Sequence, residues 1–262
     1  MASRSARPDR VTAAALTQDR FLGGRLHIWQ PRDGYRAGID PVLLAASVPA
    51  RAGQSILELG CGVGVASLCL GARVPDLSLS GVELQPDYAD LAHRNAVEND
   101  IGLMVVTADF TRLPTVLKAQ SFDHVIANPP YFQRDRGTGA QDAGRETALG
   151  EETPLRDWIE TATRRLVPGG WLTMIQRAER LPDMLSALTD RLGSGEVLPL
   201  SPRQDRAAKL VILRARKGGR GAFRLHAPLV LHGGTHHTRD CDSYTPQITA
   251  ILRQGAAVKW PA

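Results

Sequence analysis

Strand-length apolar runs alternate with segments of helical periodicity along most of this chain, from residue 53 to residue 217. The strand-like runs are almost continuously apolar, as expected for strands covered on both faces of a parallel sheet. Such alternation favours an α/β domain in which helices flank one central sheet. We therefore predict a Rossmann-like, doubly wound, mostly parallel seven-stranded sheet with helices on both faces, its strands at 55–61, 77–83, 104–109, 122–127, 171–176, 196–200 and 209–216.

The segment before residue 51 lies outside this alternation. "RLHIWQ" (25–30) favours a short strand, and a helix is expected from Asp40 and Pro41, an acceptable N-terminal pair. The first twenty residues have no continuous apolar core and are interpreted as a loose leader. A chain of 262 residues allows one large domain, or one domain with a small appendage. We predict a short N-terminal extension at 1–50, which holds the helix, and the α/β domain at 51–262.

The chain is moderately basic and poor in cysteine. Its net charge is +5 and its pI about 9.4, which permits nucleic-acid binding without requiring it. Cys61, Cys69 and Cys241 have no motif spacing, so we expect a reduced, cytoplasmic setting. The longest apolar runs have only strand length, and no membrane span is expected.

A glycine-rich turn follows the first strand of the alternation. In "LELGCGVG" (57–64), Glu58 lies near the strand end, and Gly60, Gly62 and Gly64 lead into a helix. Glycines at this point let the backbone approach a ligand closely. The G-x-G-x-G spacing differs from the G-x-G-x-x-G of dinucleotide-binding turns, which makes an NAD site the less favoured interpretation.

Two further strands end in a carboxylate. Glu83 ends the second strand and precedes Leu84, while Asp109 ends the third and precedes Phe110. A carboxylate at the end of the second strand can accept hydrogen bonds from both ribose hydroxyls of an adenosyl or a dinucleotide cofactor. Asp109 has a competing structural interpretation, because aspartate readily begins a turn. With Glu58, these acids predict a cofactor crevice along one edge of the sheet.

The fourth strand ends in Asn128, followed by Pro129, Pro130 and Tyr131. Two prolines end a strand, and they also fix the backbone. The Asn128 side-chain oxygen and the Pro129 carbonyl can then accept the two N–H bonds of a planar amine and favour pyramidal character at its nitrogen. Tyr131 can stack on the planar group. We therefore predict that Asn128, Pro129 and Tyr131 have a catalytic role in holding the acceptor.

These motifs resemble those of class I S-adenosylmethionine-dependent methyltransferases. In that family the G-x-G-x-G turn meets the methionine half of the cofactor, and Asn-Pro-Pro-Tyr marks enzymes that methylate a planar nitrogen. The resemblance implies a methyltransferase domain that uses S-adenosyl-L-methionine and no metal. The cofactor-binding residues that it implies are Arg36, Asp40, Glu58, Gly60, Gly62, Gly64, Glu83, Leu84, Asp109, Phe110 and Asn128.

Two flanking segments resemble the bacterial tRNA(Val) adenine-N6 methyltransferases. "YRAGIDPVLLAA" (35–46) is similar to the segment that precedes their glycine turn, with Arg36, Gly38, Asp40 and Leu43-Leu44 at matching positions. "DSYTPQITAILRQG" (242–255) is similar to their closing helix. The resemblance covers most of 20–255. It implies methyl transfer to an exocyclic adenine N6 in RNA, with tRNA as the favoured substrate.

Several alternatives stay open at the level of sequence. The same chemistry suits a glutamine amide of a protein, or adenine N6 in ribosomal RNA or DNA. More distant alternatives are a cofactor-binding RNA chaperone without enzymatic activity and an NAD-dependent oxidoreductase. The oligomeric state and the target nucleotide are not determined.

Three other segments have weaker interpretations. The basic run 203–220 is a hypothetical contact with an RNA backbone. The long loop 132–153 is typical of a functional loop. The histidine- and cysteine-containing segment 232–241 gathers His232, His236, His237 and Cys241. Its spacing fits no zinc pattern, so we interpret it as a surface loop.

Overall fold

The computed structural model describes residues 15–133, 150–151, 153–188, 190–234 and 243–260. Its helices are α1 (Asp40–Ser47), α2 (Val65–Arg73), α3 (Pro86–Glu98), α4 (Thr115–Lys118), α5 (Leu155–Arg165), α6 (Leu181–Ala187) and α7 (Pro246–Gln254). Its strands are β1 (Leu16–Phe21), β2 (Leu26–Pro31), β3 (Ser55–Leu59), β4 (Ser78–Glu83), β5 (Leu103–Thr107), β6 (Phe122–Ala127), β7 (Phe132–Gln133), β8 (Gly150–Glu151), β9 (Leu166–Arg177), β10 (Leu192–Ser201), β11 (Leu210–Lys217), β12 (Arg224–Leu225) and β13 (Leu229–Val230).

The main sheet has the order β12-β10-β11-β9-β6-β3-β4-β5, with β13 also paired to β10. Strands β9, β6, β3, β4 and β5 are parallel, and β11 runs antiparallel to both β9 and β10. The doubly wound, mostly parallel sheet is confirmed, and the two-residue strands β12 and β13 extend the seven predicted strands. The chain leaves β3 towards β4 and β5 on one side and later adds β6 on the other. This change of direction opens a crevice at the carboxyl ends of β3 and β6.

Both faces of the sheet are covered by helices. Successive residues of a strand point to opposite faces, so Ile56 and Ile126 pack with residues of α1, α2, α3 and α7, whereas Leu57 and Val125 pack with residues of α5 and α6. All four side chains are fully buried, which explains the continuous apolar pattern of these strands. Among the described helices, none combines the length and apolar character that crossing a membrane requires.

The N-terminal region contains an antiparallel hairpin of β1 and β2. The sequence predicted β2 but interpreted residues up to 20 as a leader, which is wrong for residues 16–20. The apolar residues of β1 are too few for a strand signal, but Leu16 is buried in the core that α1 and α7 share. The turn of the hairpin also depends on distant chain, because a Cβ at Gly23 would lie 2.6 Å from the Arg253 carbonyl oxygen. The division at residue 51 stays a prediction.

Two of the differences between observed and predicted strand ends concern the region of the crevice and the strand beside β6. β5 ends at Thr107, which leaves Asp109 outside the strand. β9 begins at Leu166 and not at residue 171, so Pro168-Gly169-Gly170 lie within this strand. The pairing of β9 with β6 shifts register between Phe122 and His124. This irregularity accommodates the proline, which could not donate to a regular ladder.

Candidate active site

A cavity of about 930 Å³ opens at the carboxyl ends of β3, β4 and β6. Its volume is in the range of sites for small molecules. Its walls are formed by the segment around Tyr35 and Asp40, the glycine turn, the ends of β4 and β5, the segment 128–131, and Trp158 of α5. Segments between residues 32 and 158 therefore meet at one edge of the sheet.

The glycine turn between β3 and α2 forms the floor of the cavity. Gly60 has φ +64°, and a Cβ at this position would lie 2.7 Å from the Trp158 ring. Gly62 has φ +53°, lines the cavity, and donates its N–H to Glu83 Oε2 at 2.8 Å. Gly64 has φ +87° and does not line the cavity; a Cβ there would lie 3.4 Å from that of Ala92. Gly64 thus permits close packing of the turn against α3.

Glu58 connects the end of β3 to the first turn of α2. Its Oε2 accepts hydrogen bonds from the Ser67 N–H at 3.0 Å and the Ser67 hydroxyl at 2.5 Å. The side chain is almost fully buried, and burial raises the pKa of Glu58 to about 8. The Glu58 carboxyl group thus orients the start of α2 at the edge of the cavity.

Glu83 at the end of β4 is buried and oriented by backbone N–H groups. Its Oε2 accepts from Gly62 and its Oε1 accepts from Gln85 at 2.9 Å. Burial raises the pKa of this carboxyl group. The next residue, Leu84, lines the cavity with its side chain 55% exposed. The pair presents a fixed carboxylate beside an exposed apolar surface, which suits a ribose joined to a flat base.

Asp109 follows β5 and begins a short helical turn. Its Oδ1 accepts from the Thr111 N–H at 2.8 Å and the Thr111 hydroxyl at 2.7 Å. The turn-forming interpretation of Asp109 therefore holds, and the residue also lines the cavity. Phe110 packs on Trp158 with ring centroids 4.1 Å apart. The two aromatic rings close one side of the cavity.

The Asn128 carboxamide is oriented by a tyrosine that precedes α1. Asn128 Nδ2 donates to the Tyr35 hydroxyl at 3.5 Å. Burial raises the pKa of Tyr35 well above its ordinary range, so the hydroxyl keeps its proton. Asn128 Oδ1 is buried and has no hydrogen-bond partner among the residues that the structure describes. A buried acceptor without a partner costs about 1–3 kcal/mol, a cost that a bound N–H group would remove.

Both proline carbonyls of the motif contact one side chain of β9. Gln176 Nε2 lies 3.3 Å from the Pro129 carbonyl oxygen and 3.3 Å from that of Pro130. Both prolines line the cavity. Each carbonyl oxygen has two lone pairs, so the hydrogen bond to Gln176 leaves one lone pair of Pro129 available.

Tyr131 is tied to the start of α1. Its hydroxyl donates to Asp40 Oδ2 at 2.6 Å. Burial raises the pKa of both groups. The tyrosine ring is therefore held at the cavity wall by a residue 91 positions away. Asp40 was predicted as a cofactor contact, and here its carboxylate orients the aromatic residue of the acceptor motif.

Arg36 holds the segment before α1 against the hairpin. Its guanidinium pairs with Asp19 at 2.5 Å and donates to the Thr17 hydroxyl and the Pro31 carbonyl. It lines the cavity but uses these donors within the protein. Of the predicted site residues, all except Gly64 line the cavity. Their assignment to cofactor or acceptor stays a prediction.

Sequence reasoning missed three residues of this region: Tyr35, Trp158 and Gln176. Trp158 lies on the buried face of α5, and a lone tryptophan on such a face has the sequence pattern of an ordinary core residue. Gln176 carried a usable signal, because it is a polar residue near the end of an otherwise apolar strand. The carboxyl ends of parallel strands are where binding groups collect. Tyr35 had no signal of its own beyond its place beside Arg36.

Two arginines of the basic run have structural contacts. Arg203 is 8% exposed, and its guanidinium donates to the carbonyl oxygens of Gly233 and Gly234 at 2.5 and 3.1 Å. Arg214 donates to Glu196 Oε2 at 2.8 Å, and both side chains are largely buried. Arg203 and Arg214 use their guanidinium groups within the protein, so the hypothetical contact with an RNA backbone concerns the other cations of the run.

The segment 232–241 is described only up to residue 234. His232 stacks on Tyr244 with ring centroids 4.7 Å apart. His236, His237 and Cys241 lie outside the described residues, as does most of the loop 132–153. Within the described stretches there is no group of three or more His, Cys, Asp or Glu that could hold a metal ion.

The sheet order and the chemistry along its carboxyl edge are those of class I S-adenosylmethionine-dependent methyltransferases. Comparison with known proteins gives the family: this chain belongs to the methyltransferase small domain family, whose sequence profile matches residues 37–199. The chain is thus a methyltransferase, and S-adenosylmethionine is its methyl donor.

Curated relatives cover most of the chain. The tRNA1(Val) (adenine(37)-N6)-methyltransferase of Porphyromonas gingivalis strain ATCC 33277 is 32% identical over 90% of this chain and 94% of the relative. The protein of the same name from strain W83 is 36% identical over 70% of this chain and 74% of the relative. The protein of the same name from Haemophilus influenzae strain Rd is 30% identical over 60% of this chain and 67% of the relative.

Solved structures share the fold. A predicted O-methyltransferase from Agrobacterium tumefaciens superposes with a TM-score of 0.67 at 27% identity and covers 84% of this chain and 98% of that chain. The 16S rRNA N2 G1207 methyltransferase of Thermus thermophilus, in complex with AdoMet and guanosine, gives a TM-score of 0.54 at 19% identity. The superposition covers 77% of this chain and 50% of that chain. At that identity the second likeness concerns the fold alone.

Proposed function

We propose that this methyltransferase transfers a methyl group to the exocyclic N6 of an adenine in tRNA. The observation that carries the proposal is the buried Asn128 Oδ1, which has no partner among the described residues and lies in an Asn-Pro-Pro-Tyr segment at the cavity wall. The names of the relatives, which specify adenine 37 of tRNA1(Val), supply the substrate part of the proposal.

The residues present fit S-adenosylmethionine. The space beside Gly62 is open, since a Cβ built there would meet only the Tyr35 ring, at 3.9 Å. A ligand can therefore approach the backbone of the turn closely. The fixed carboxylate of Glu83 suits the ribose hydroxyls, and Leu84 and Phe110 give the cavity apolar surface that suits a purine. When bound, the cofactor supplies a methyl group on a sulfonium, which needs no activation by the protein.

The acceptor motif would hold the amine by its two N–H bonds. Asn128 Oδ1 and the Pro129 carbonyl each accept one of them, so the nitrogen lone pair is released from conjugation with the ring. Tyr131, fixed through Asp40, is placed to stack on the base, as aromatic residues do on extruded bases. The methylated nitrogen is acidic and loses its proton without a strong side-chain base.

Exposed cations adjoin this edge of the sheet. Arg32 lines the cavity and is exposed, and Arg206 and Lys209 are exposed on the loop between β10 and β11. That loop lies on the catalytic side, because Leu210 pairs with Arg177, the last residue of β9. Exposed cations beside a cavity supply sequence-independent affinity for phosphates. The position supports RNA over a protein amide as substrate.

The test uses labelled S-adenosylmethionine with separate pools of tRNA, ribosomal RNA, DNA and protein. We expect label in tRNA, recovered as N6-methyladenosine, and Asn128→Ala should reduce kcat by about 100-fold while the cofactor Kd stays unchanged. Thr173→Val, a buried change on β9 outside the cavity, is the matched control. Label in protein glutamine, ribosomal RNA or DNA would replace the tRNA proposal, and an active Asn128→Ala enzyme would contradict the role of Asn128.

The target position is tested with valine tRNA transcripts. A transcript with adenine at position 37 should accept one methyl group per molecule, and the same transcript with guanine at position 37 should accept none. Equal labelling of both transcripts would contradict position 37 while leaving the chemistry intact.

A further inference from the structure

The Gln176 side chain uses both ends of its amide within the protein. Its Nε2 contacts the Pro129 and Pro130 carbonyl oxygens at 3.3 Å each, and its Oε1 accepts the Arg177 N–H at 2.8 Å. The residue is fully buried, with 0% exposure. The two proline carbonyls are thereby bridged from the strand next to β6.

The orientation of this amide is determined by the backbone. The Arg177 N–H needs an acceptor, and the acceptor of a side-chain amide is its oxygen. The contact therefore assigns Oε1 and turns the NH2 group towards the prolines. That group has two hydrogens, one for each carbonyl. The peptide that joins Pro129 to Pro130 has no N–H of its own, so a hydrogen bond can fix its plane only at the Pro129 carbonyl.

We propose that Gln176 is a positioning residue for methyl transfer: it fixes the Pro129 carbonyl so that the lone pair left free points at the acceptor amine. The inference rests on the proposed acceptor role of Asn128 and Pro129. Without the bridge the peptide planes turn, and the amine loses one of its two acceptors. A misplacement of about 1 Å is enough to cost on the order of 100-fold in rate.

The first test replaces Gln176 by methionine, which has similar length and no hydrogen-bond donor. We expect kcat to fall by about 10- to 100-fold, with the Kd for S-adenosylmethionine and the KM for tRNA within about 2-fold of the wild-type values. Thr173→Val is again the control, because Thr173 is fully buried on the same strand and its hydroxyl has no partner among the described residues. A methionine variant with wild-type kcat overturns the proposal.

A pH profile separates positioning from a structural role. In Gln176→Glu the carboxyl group can donate one hydrogen bond to a proline carbonyl only when it is protonated, and burial raises its pKa. The charged groups on the neighbouring segments are Arg177, next in the chain, and Asp40, which is bound to Tyr131 beside the two prolines. We expect kcat of this variant relative to wild type to rise at least about 5-fold as the pH falls from about 9 to about 6, while the methionine variant stays flat.

The outcomes distinguish this inference from the proposed function. If Asn128→Ala is inactive but the glutamate variant has a pH profile parallel to that of the methionine variant, only the positioning role of Gln176 is wrong. If Asn128→Ala is active, the acceptor role itself fails. If the methionine variant no longer binds cofactor, the glutamate pH profile decides alone.

Discussion

At the scale of single residues, two buried oxygens without a partner have different meanings. Thr173 Oγ1 and Asn128 Oδ1 both lack a hydrogen-bond partner among the described residues. Thr173 lies fully buried within β9, away from the cavity, so its hydroxyl is a small cost to stability. Asn128 lines the cavity, and its orphan oxygen is available to a ligand. The location of the unpartnered oxygen, and not the type of residue that carries it, indicates function.

Glu58 gives a pH dependence that can be tested on the cofactor-free protein. Its pKa is raised from 4.5 to about 8 by burial, so the folded state holds a proton that the unfolded state releases within this range. The contribution of Glu58 to stability is therefore full below about pH 4.5 and is lost as the pH rises towards about 8. Glu58→Gln removes this contribution. Urea denaturation measures the free energy of unfolding at about pH 5 and at about pH 8. This free energy should fall less between the two pH values in the variant than in the wild type.

Other groups titrate in the same range, so the effect of Glu58 is the difference in pH dependence between the wild type and the Glu58→Gln variant. Equal pH slopes for wild type and Glu58→Gln would mean that Glu58 is ionised in the folded protein throughout. The glutamine can still accept hydrogen bonds from Ser67, so the variant keeps the contact that connects β3 to α2.

At the scale of elements, the glycine turn joins the two sides of the sheet. It leads from β3 into α2 on one face, yet Gly60 lies against Trp158 of α5 on the other. Trp158 in turn packs on Phe110 after β5. The requirement for glycine at position 60 therefore has two causes: a left-handed backbone and the proximity of an aromatic ring.

Gly60→Ala and Gly53→Ala separate these two causes. Both glycines have a left-handed backbone, with φ +64° and φ +81°, but a Cβ at Gly53 would meet nothing within 4 Å. We expect Gly53→Ala to lose about 1 kcal/mol of unfolding free energy from backbone strain alone. Gly60→Ala should lose clearly more and also weaken cofactor binding, because Trp158 must move. Denaturant titration and cofactor Kd measure both effects, and equal losses would refute the steric cause.

At the scale of the whole molecule, exposed cations occur at both edges of the sheet. Arg206 and Lys209 lie at the catalytic edge, whereas Arg191 and Arg220 are exposed beside the turn between β11 and β12. The Arg191 carbonyl accepts from Gly218, which places it at the end opposite to the cavity. The two pairs have equal charge and different positions, which allows a matched comparison.

We expect Arg206→Glu with Lys209→Glu to weaken tRNA binding and to reduce the slope of log K against log salt by about 2. Arg191→Glu with Arg220→Glu makes the same change in net charge and should leave that slope nearly unchanged. Filter binding at several salt concentrations measures both slopes. Equal effects of the two double variants would indicate attraction by net charge alone, without a localised RNA surface.

Much of the fold and most of the cavity could be predicted from local sequence. The apolar alternation gave the parallel strands because burial on both faces leaves a continuous pattern. Glu58, Glu83, Asp109 and Asn128 were predicted to share one edge because parallel strands present their carboxyl ends on the same side. β1 could not be predicted, since its few apolar residues acquire a partner only through β2 and the shared core.

The sequence by itself determined the alternation of the main strands with helices between residues 53 and 217 and the residue types at the strand ends, because both depend on periodicity and turn chemistry within about fifteen residues. Only the tertiary structure decided which side chains complete the site. Gln176 reaches Pro129, Tyr131 reaches Asp40, and Arg203 turns inward to Gly233. These contacts join segments 30 to 91 positions apart, and such distances in sequence leave no local pattern, since only the packing of the sheet brings the partners together.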